Sequence, residues 1–174
     1  KRKEEEFKLF KELYNNGWEQ NWGFVPMTPH ELDGMVEALG TFFDPELAFF
    51  AYVGDQPAGF VLAVPNFNEV LARVYPRPEV PQIVTLLQAL YYWKIRPVIT
   101  MARLPLMGVI PEFRGKGVDA VLYLEILHAI TGRYAYNDSG WILEDNMSTI
   151  GIADKAGLTR YKTHRFYEKG LADG

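Results

Sequence analysis

Apolar residues recur along the chain with two periods, and the switch between them predicts the order of elements. In the opening KRKEEEFKLFKE and just beyond, Phe7, Phe10, Leu13 and Tyr14 fall at i, i+3, i+6 and i+7. One apolar stripe with charges opposite predicts a helix. Thr28-Pro29-His30-Glu31 is a helix start: Thr28 can cap, Pro29 takes the first helical position and Glu31 closes a capping box. That helix should reach about Thr41. The period then changes to two. Residues 47–53 (LAFFAYV) read as a strand, Gly54-Asp55 as a turn, and 58–64 (AGFVLAV) as its hairpin partner. Pro65, with no N–H to donate, ends the pairing. A helical pattern over 66–74 precedes a break at Pro76, Pro78 and Pro81, and 82–93 (QIVTLLQALYYW) reads as an apolar, aromatic-rich helix. Residues 103–110 (RLPLMGVI) read as a strand with Pro105 at an edge or a bulge. In 118–130, Val118, Val121, Leu122, Ile126 and Ala129 share a helical face. Residues 140–144 (GWILE) read as a short buried strand. Asn146 should cap a helix ending at Gly157, and the alternating 160–169 (RYKTHRFYEK) should close the chain as a strand. Helices, an antiparallel hairpin, then strand-helix-strand-helix-strand is an α+β, or mixed α/β, order.

Composition narrows the function classes. At 174 residues and 19.9 kDa the chain suits one domain with its own core. Its 18 basic against 22 acidic residues give a net charge of −4, which argues against a general nucleic-acid binder. Up to Ala102 there are 9 basic against 13 acidic residues and from Arg103 onward 9 against 9, so the later part is the milder place for an anionic ligand. There is no cysteine, and the histidines (His30, His128, His164) are scattered, so no metal site is expected. His128 should be half-buried in its helix, and His164 exposed on its strand. No apolar run reaches the length of a membrane span and no leader precedes the first helix, so a cytoplasmic protein is expected. Because the chain opens on Lys1 within a helical pattern, further sequence upstream is expected, which could be another domain.

One segment carries chemistry: Val109-Ile110-Pro111-Glu112-Phe113-Arg114-Gly115-Lys116-Gly117-Val118. A strand ends, glycines allow a sharp turn, and a long helix opens. Glycine-bearing turns present successive N–H groups to one point, and a helix N-terminus adds donors and partial positive charge. Arg114 and Lys116 add full charges, so the segment suits a pyrophosphate. It is neither a Walker loop nor a dinucleotide fingerprint. The plainer alternative is a glycine-rich turn with two solvated basic residues.

The segment resembles the acyl-CoA binding motif of the GNAT superfamily of N-acetyltransferases, V-x-P-x-x-R-G-x-G-x-G/A, through Val109, Pro111, Arg114, Gly115 and Gly117. The hairpin with Gly59, the stretch Trp141-Ile142-Leu143-Glu144-Asp145-Asn146, Lys155-Ala156-Gly157-Leu158, Tyr161 and Tyr167-Glu168-Lys169 fit the family's order as well. The likeness runs over about 28–169. It implies one acyltransferase domain over 1–174, a helical insertion at about 66–100, and a first strand upstream of Lys1. It also implies a central, mostly antiparallel twisted sheet with two splayed parallel strands, here 103–110 and 140–144, and flanking helices.

In such proteins acetyl-CoA or another acyl-CoA is the co-substrate and a small-molecule or peptide amine accepts the acyl group. The resemblance implies CoA contacts at Val109, Ile110, Arg114, Gly115, Lys116, Gly117 and Val118, with a backbone N–H near Val109 or Ile110 polarising the thioester. Asn146 is either a contact for the pantetheine arm or only a helix cap. Glu144 is the candidate base, with Asp145 and Glu112 as rivals. Two departures stand out: Asp119 where the family prefers Gly or Ala, and Ala153 where many members carry a tyrosine acid. That acid role then falls to Tyr161 or water. These departures keep open a non-catalytic CoA-binding or regulatory domain, and a pure interaction module. Leu86, Leu87, Leu90, Tyr91, Tyr92 and Trp93 make a broad apolar surface followed by Lys94 and Arg96. It is expected either to pack onto the sheet or a missing domain, or to line a pocket for an apolar amine or a longer acyl group.

Overall fold

Strand β2 (Gln56–Pro65) is buried along six consecutive residues, 58–63, as expected of a strand covered on both faces. The computed structural model describes residues 2–18, 25–40 and 43–169. β2 pairs antiparallel with β1 (Ala48–Val53) on one side and with β3 (Met101–Val109) on the other. β4 (Tyr136–Asp138) adds to β3 in parallel, giving the order β1-β2-β3-β4. Two compact units divide the chain, residues 1–142 with this sheet and 143–174. The architecture is mixed α/β, as the element order predicted.

On one face of the sheet Phe60, Leu62 and Leu106 join Phe10, Leu13 and Tyr14 of α1 (Arg2–Trp18) and Leu32 of α2 (Pro29–Gly40) in a single core cluster. Phe10 meets Phe60 edge-on, ring centroids 5.0 Å apart. The apolar stripe read from the first helix is therefore its buried face. Asn15 secures the approach to α2, exchanging two 3.1 Å hydrogen bonds with the backbone of Met27. The capping box forms: Glu31 accepts from the Thr28 N–H and hydroxyl at 2.8 Å, and Thr28 accepts from the Glu31 N–H.

Helix α5 (Val118–Ile130) covers the opposite face. Its buried seam is Val118, Leu122, Ile126 and Ile130, spaced by four, together with Tyr123. That corrects the expected face in part: Val121 lies one step round the helix, is exposed, and has His128, expected half-buried, exposed with it. The helix approaches closely because β2 has Gly59 beneath it. A Cβ there would lie 2.6 Å from the Gly108 carbonyl oxygen and 3.2 Å from Leu122 Cδ1.

Pro105 sits at a bulge. Leu62 pairs with Leu106 and Val64 with Arg103, so Leu104 and Pro105 together oppose Ala63. Past this point two expected strands do not form. The parallel partner of β3 is 136–138 rather than 140–144, and it pairs only with 101–103. Gly140, at φ +71°, turns the chain away, and Trp141 is exposed rather than buried. In the second unit 160–169 forms no ladder, and Phe166 and Tyr167 are exposed, since an alternating pattern makes a strand only where an edge receives it. Its helix α6 (Met147–Lys155) begins as expected, Asn146 accepting from the Thr149 N–H at 3.2 Å, and ends before Gly157.

Between β2 and β3 lie α3 (Asn68–Val74), α4 (Gln82–Leu90) and a π-helical turn at Tyr91–Ile95. Glu69 holds this excursion at its base. Its carboxylate accepts from Thr100 N (2.9 Å), Thr100 Oγ1 (2.8 Å), Met101 N (3.1 Å) and Asn66 Nδ2 (3.3 Å). The Asn66 N–H donates to Met101 O as well. Among the described residues no helix is long and apolar enough to cross a membrane.

Glu69→Ala strands these donors, so urea unfolding should show a loss of about 2 kcal/mol, with faster hydrogen exchange across 66–100. An unchanged midpoint would contradict the clasp. The Thr28 N–H, then its hydroxyl, hold the Glu31 carboxyl below the usual carboxylate range. The stability it adds is present above the unfolded-state value and is lost as pH falls through the lower folded-state value. Thr28→Ala, which removes the hydroxyl and leaves the N–H, should lower Tm at neutral pH, and the gap to the parent should narrow on acidification. A gap independent of pH would show that the hydroxyl takes no part in holding the carboxylate.

Candidate functional site

The open end of the sheet is built from the end of β3, the turn after it and the start of α5. The Ile110 N–H donates to Ala58 O at 3.0 Å, making Ala58 and Ile110 a hydrogen-bonded pair. Gly59 and Val109, one step along, are then a non-hydrogen-bonded pair, so the backbone N–H and C=O of Val109 point to the edge away from β2. Of the two donors expected here, only that of Val109 faces this edge.

A 3₁₀ turn at Pro111–Phe113 buries the Phe113 ring and brings the chain to Gly115 and Gly117, at φ +69° and +84°. Gly117 caps α5 with no side chain, and a Cβ on either glycine would meet nothing within 4 Å. Two left-handed positions around Lys116 thus turn the backbone onto the first turn of α5 and leave the space before it open. The Asp119 carboxylate accepts from the Ala120 N–H at 3.0 Å, serving the helix's own first turn. Lys116 is exposed, its Nζ 5.2 Å from the Phe113 ring centroid. Arg114, expected to reach out as a full charge, instead folds back. Its Nε donates to Val109 O at 3.1 Å and a terminal nitrogen donates to Gly17 O at 2.8 Å, tying the strand end to α1. Val118, buried, seats the helix beneath the turn.

The apex where β3 and β4 part was not read from the sequence. Asp138 uses both oxygens there: Oδ2 accepts from Arg103 Nε at 3.1 Å, and Oδ1 from the Gly140 N–H at 3.0 Å. A Cβ on Gly140 would approach Leu104 O to 3.1 Å. Beside the apex the Tyr123 and Ser139 hydroxyls share a 2.6 Å hydrogen bond. Burial pushes the Tyr123 hydroxyl above its ordinary range, against the opposing effect of that bond. Asn137, paired with Ala102, has both side-chain amide atoms buried without a protein partner, a costly state that suits a ligand or water contact. Asp-Ser-Gly at 138–140 was the available signal, a breaker cluster inside an apolar run.

Glu144, Asn146 and Tyr161 belong to the second unit. Glu144 does not end a buried strand: its side chain is 74 % exposed and faces Arg165 Nη1 at 3.4 Å. Asn146 is engaged as the cap of α6, Tyr161 is exposed, and Ala153 is buried in α6. Among the described residues no group of three or more His, Asp or Glu is placed to hold a metal ion.

Comparison with known proteins locates this geometry. No family model matches the chain. It is 30 % identical over 173 residues to Protein YghO of Escherichia coli, and 31 % identical over 176 residues to a bacterial ceramide synthase of Caulobacter vibrioides. These alignments cover 96 % and 98 % of the chain but 43 % and 44 % of the relatives, so the chain spans under half their length. Among solved structures it resembles the aminoglycoside N-acetyltransferase AAC(6')-Iy in complex with a CoA bisubstrate analogue (TM-score 0.58, 14 % identity, 95 % and 92 % covered). It also resembles a possible acetyltransferase of Clostridium difficile 630 (TM-score 0.60, 10 % identity, 97 % and 93 % covered). The mixed sheet, its short parallel pair and the helices flanking it give this chain the fold of the GNAT superfamily of N-acetyltransferases.

Proposed function

We propose that this chain binds an acyl-CoA and transfers its acyl group to a primary amine. The observation that carries the reading is the run from Val109 to Val118. It joins an edge-facing backbone N–H, a double left-handed turn with open space beside its glycines, and a helix N-terminus whose cap position, Gly117, brings no side chain. The turn and the helix start suit the pyrophosphate. The Val109 N–H suits the thioester carbonyl, whose oxygen gains charge as the amine attacks and gives it up as the C=O re-forms and the thiolate leaves. Arg114 then serves by fixing the Val109 carbonyl, and Lys116 by long-range attraction. The buried Asn137 amide suits an amide group of the ligand.

The acceptor we propose is an amine on a long apolar chain. Leu86, Leu87, Leu90 and Tyr91 are exposed, and the Caulobacter relative is named a ceramide synthase, ceramide being an N-acylated long-chain amino alcohol. Glu144 as base, Tyr161 as acid and Asn146 as a pantetheine contact rest on the family pattern in the sequence alone. A second reading, CoA binding without turnover, is favoured by Ala153, which offers no hydroxyl where many family members carry a tyrosine. Thiol release from short- and long-chain acyl-CoA across an amine panel separates the two.

Gly115→Val or Gly117→Val should abolish CoA binding in calorimetry, since a β-branched side chain resists positive φ and fills the open space. Lys116→Ala should weaken binding only slightly. Unchanged affinity in the Gly117 variant would remove the site. Arg114→Ala should lower Tm as well as affinity, because its guanidinium bonds the chain's own backbone. Glu144→Gln should lower turnover about 10²-fold with CoA affinity unchanged; full activity would remove Glu144 from the mechanism.

A further inference from the structure

Helix α4 is inverted relative to an ordinary surface helix. Ile83, Leu86, Leu87 and Leu90 fall at i, i+3, i+4 and i+7, one continuous stripe, yet all four are exposed, Ile83 at 60 % and Leu87 at 59 %. Ala89 is the helix's buried residue. Of the packing expected on the sheet or on a missing domain, packing on the sheet is therefore not found for Leu86, Leu87 and Leu90. Leu71 of α3, Tyr75, Tyr91 and Ile95 add to the large apolar side chains exposed on this excursion. Exposed apolar surface of this extent marks an interaction surface.

The charges around it identify the partner. From Asn68 to Val98 the sequence carries Arg73, Arg77, Lys94 and Arg96 against two acids, Glu79 and the Glu69 already engaged by Thr100 and Met101, in a chain whose net charge is −4. Cations lie against aromatic rings: Lys94 Nζ is 4.0 Å from the Trp93 ring centroid and the Arg77 guanidinium 5.4 Å from that of Tyr75. Apolar side chains, aromatic rings with polar edges, and long cationic side chains in one region match the layering of a membrane interface. A partner protein with an apolar surface would not call for that surplus of cations. We propose that the hairpin of α3, α4 and the π-helical turn docks this protein on an anionic phospholipid surface, with Leu86 and Leu87 entering the acyl boundary and Lys94 and Arg96 at the headgroups. The proposal shares Leu86, Leu87, Leu90 and Tyr91 with the acceptor reading above, but vesicle binding requires neither CoA nor turnover.

Co-sedimentation with phosphatidylcholine vesicles, with and without phosphatidylglycerol, tests it. The chain should pellet with the anionic vesicles and be released by high salt. Leu86→Asp with Leu87→Asp, and separately Lys94→Glu with Arg96→Glu, should each weaken vesicle binding about tenfold or more. Because the four side chains are exposed or partly so, melting temperature and CoA affinity should stay at the parent's values. A chain that remains in the supernatant overturns the proposal, as does equal binding to neutral vesicles or full binding by the aspartate variant. A dimer in light scattering that the same aspartates dissociate, without vesicle binding, would assign the face to a second copy instead.

Discussion

The site depends on the β3–β4 ladder stopping after three residue pairs. Beyond Arg103 and Asp138 nothing continues the pairing, and three local facts prevent it. Leu104 and Pro105 form a bulge that spoils the register, and proline supplies no N–H. Asp138 spends one oxygen on Arg103 and the other on the Gly140 N–H, bending the chain out of the sheet. Gly140 then passes so close to Leu104 O, at φ +71°, that a side chain there would be strained and would crowd that oxygen. A continued ladder would consume the edge-facing groups of β3; its interruption keeps the backbone of Val109 directed at an edge β4 does not cover.

A second constraint sets how rigidly that edge is held. Gly59 lets β3 and α5 close on β2 from two sides, and Gly17 brings the end of α1 to 3.5 Å (from its hypothetical Cβ) of Gly108 Cα. Arg114 then bridges Val109 O and Gly17 O. The turn that follows is mounted on a strand end fixed from the sheet and from α1, as a binding loop needs if its N–H groups are to converge without further ordering cost. The family motif's arginine contributes here through structure rather than as an outward charge.

Much of this was legible because it is local. The capping box at Thr28, the stripe of Phe10, Leu13 and Tyr14, the hairpin, the bulge at Pro105 and the glycine turn are each encoded within a few residues. The misses are all tertiary. Residues 140–144 look like a strand because Trp141, Ile142 and Leu143 are apolar, but Asp138 and Gly140 decide the path just before them. Residues 160–169 alternate correctly, and alternation cannot say whether an edge is there to pair with. Glu144 is the last residue of that expected strand, and without the strand the argument for its burial goes too. Asp138 and Asn137 escaped notice because Asn-Asp-Ser-Gly reads as a plain breaker cluster, and nothing in it says that its first two residues pair with β3.

The inverted α4 shows the same limit from the other side. Periodicity correctly marked Ile83, Leu86, Leu87 and Leu90 as one face, but a hydrophobic stripe says only that something covers it. Glu69 resolves part of the question. By joining the entry and exit of the 66–100 excursion through Thr100 and Met101, it lets the two helices form a separate projection without disturbing the sheet's β2–β3 pairing. A loop that merely connected two adjacent antiparallel strands would need only a few residues. Thirty-five residues pinned at their base, with apolar side chains exposed and Arg73, Arg77, Lys94 and Arg96 among them, are better explained by what they contact than by what they connect.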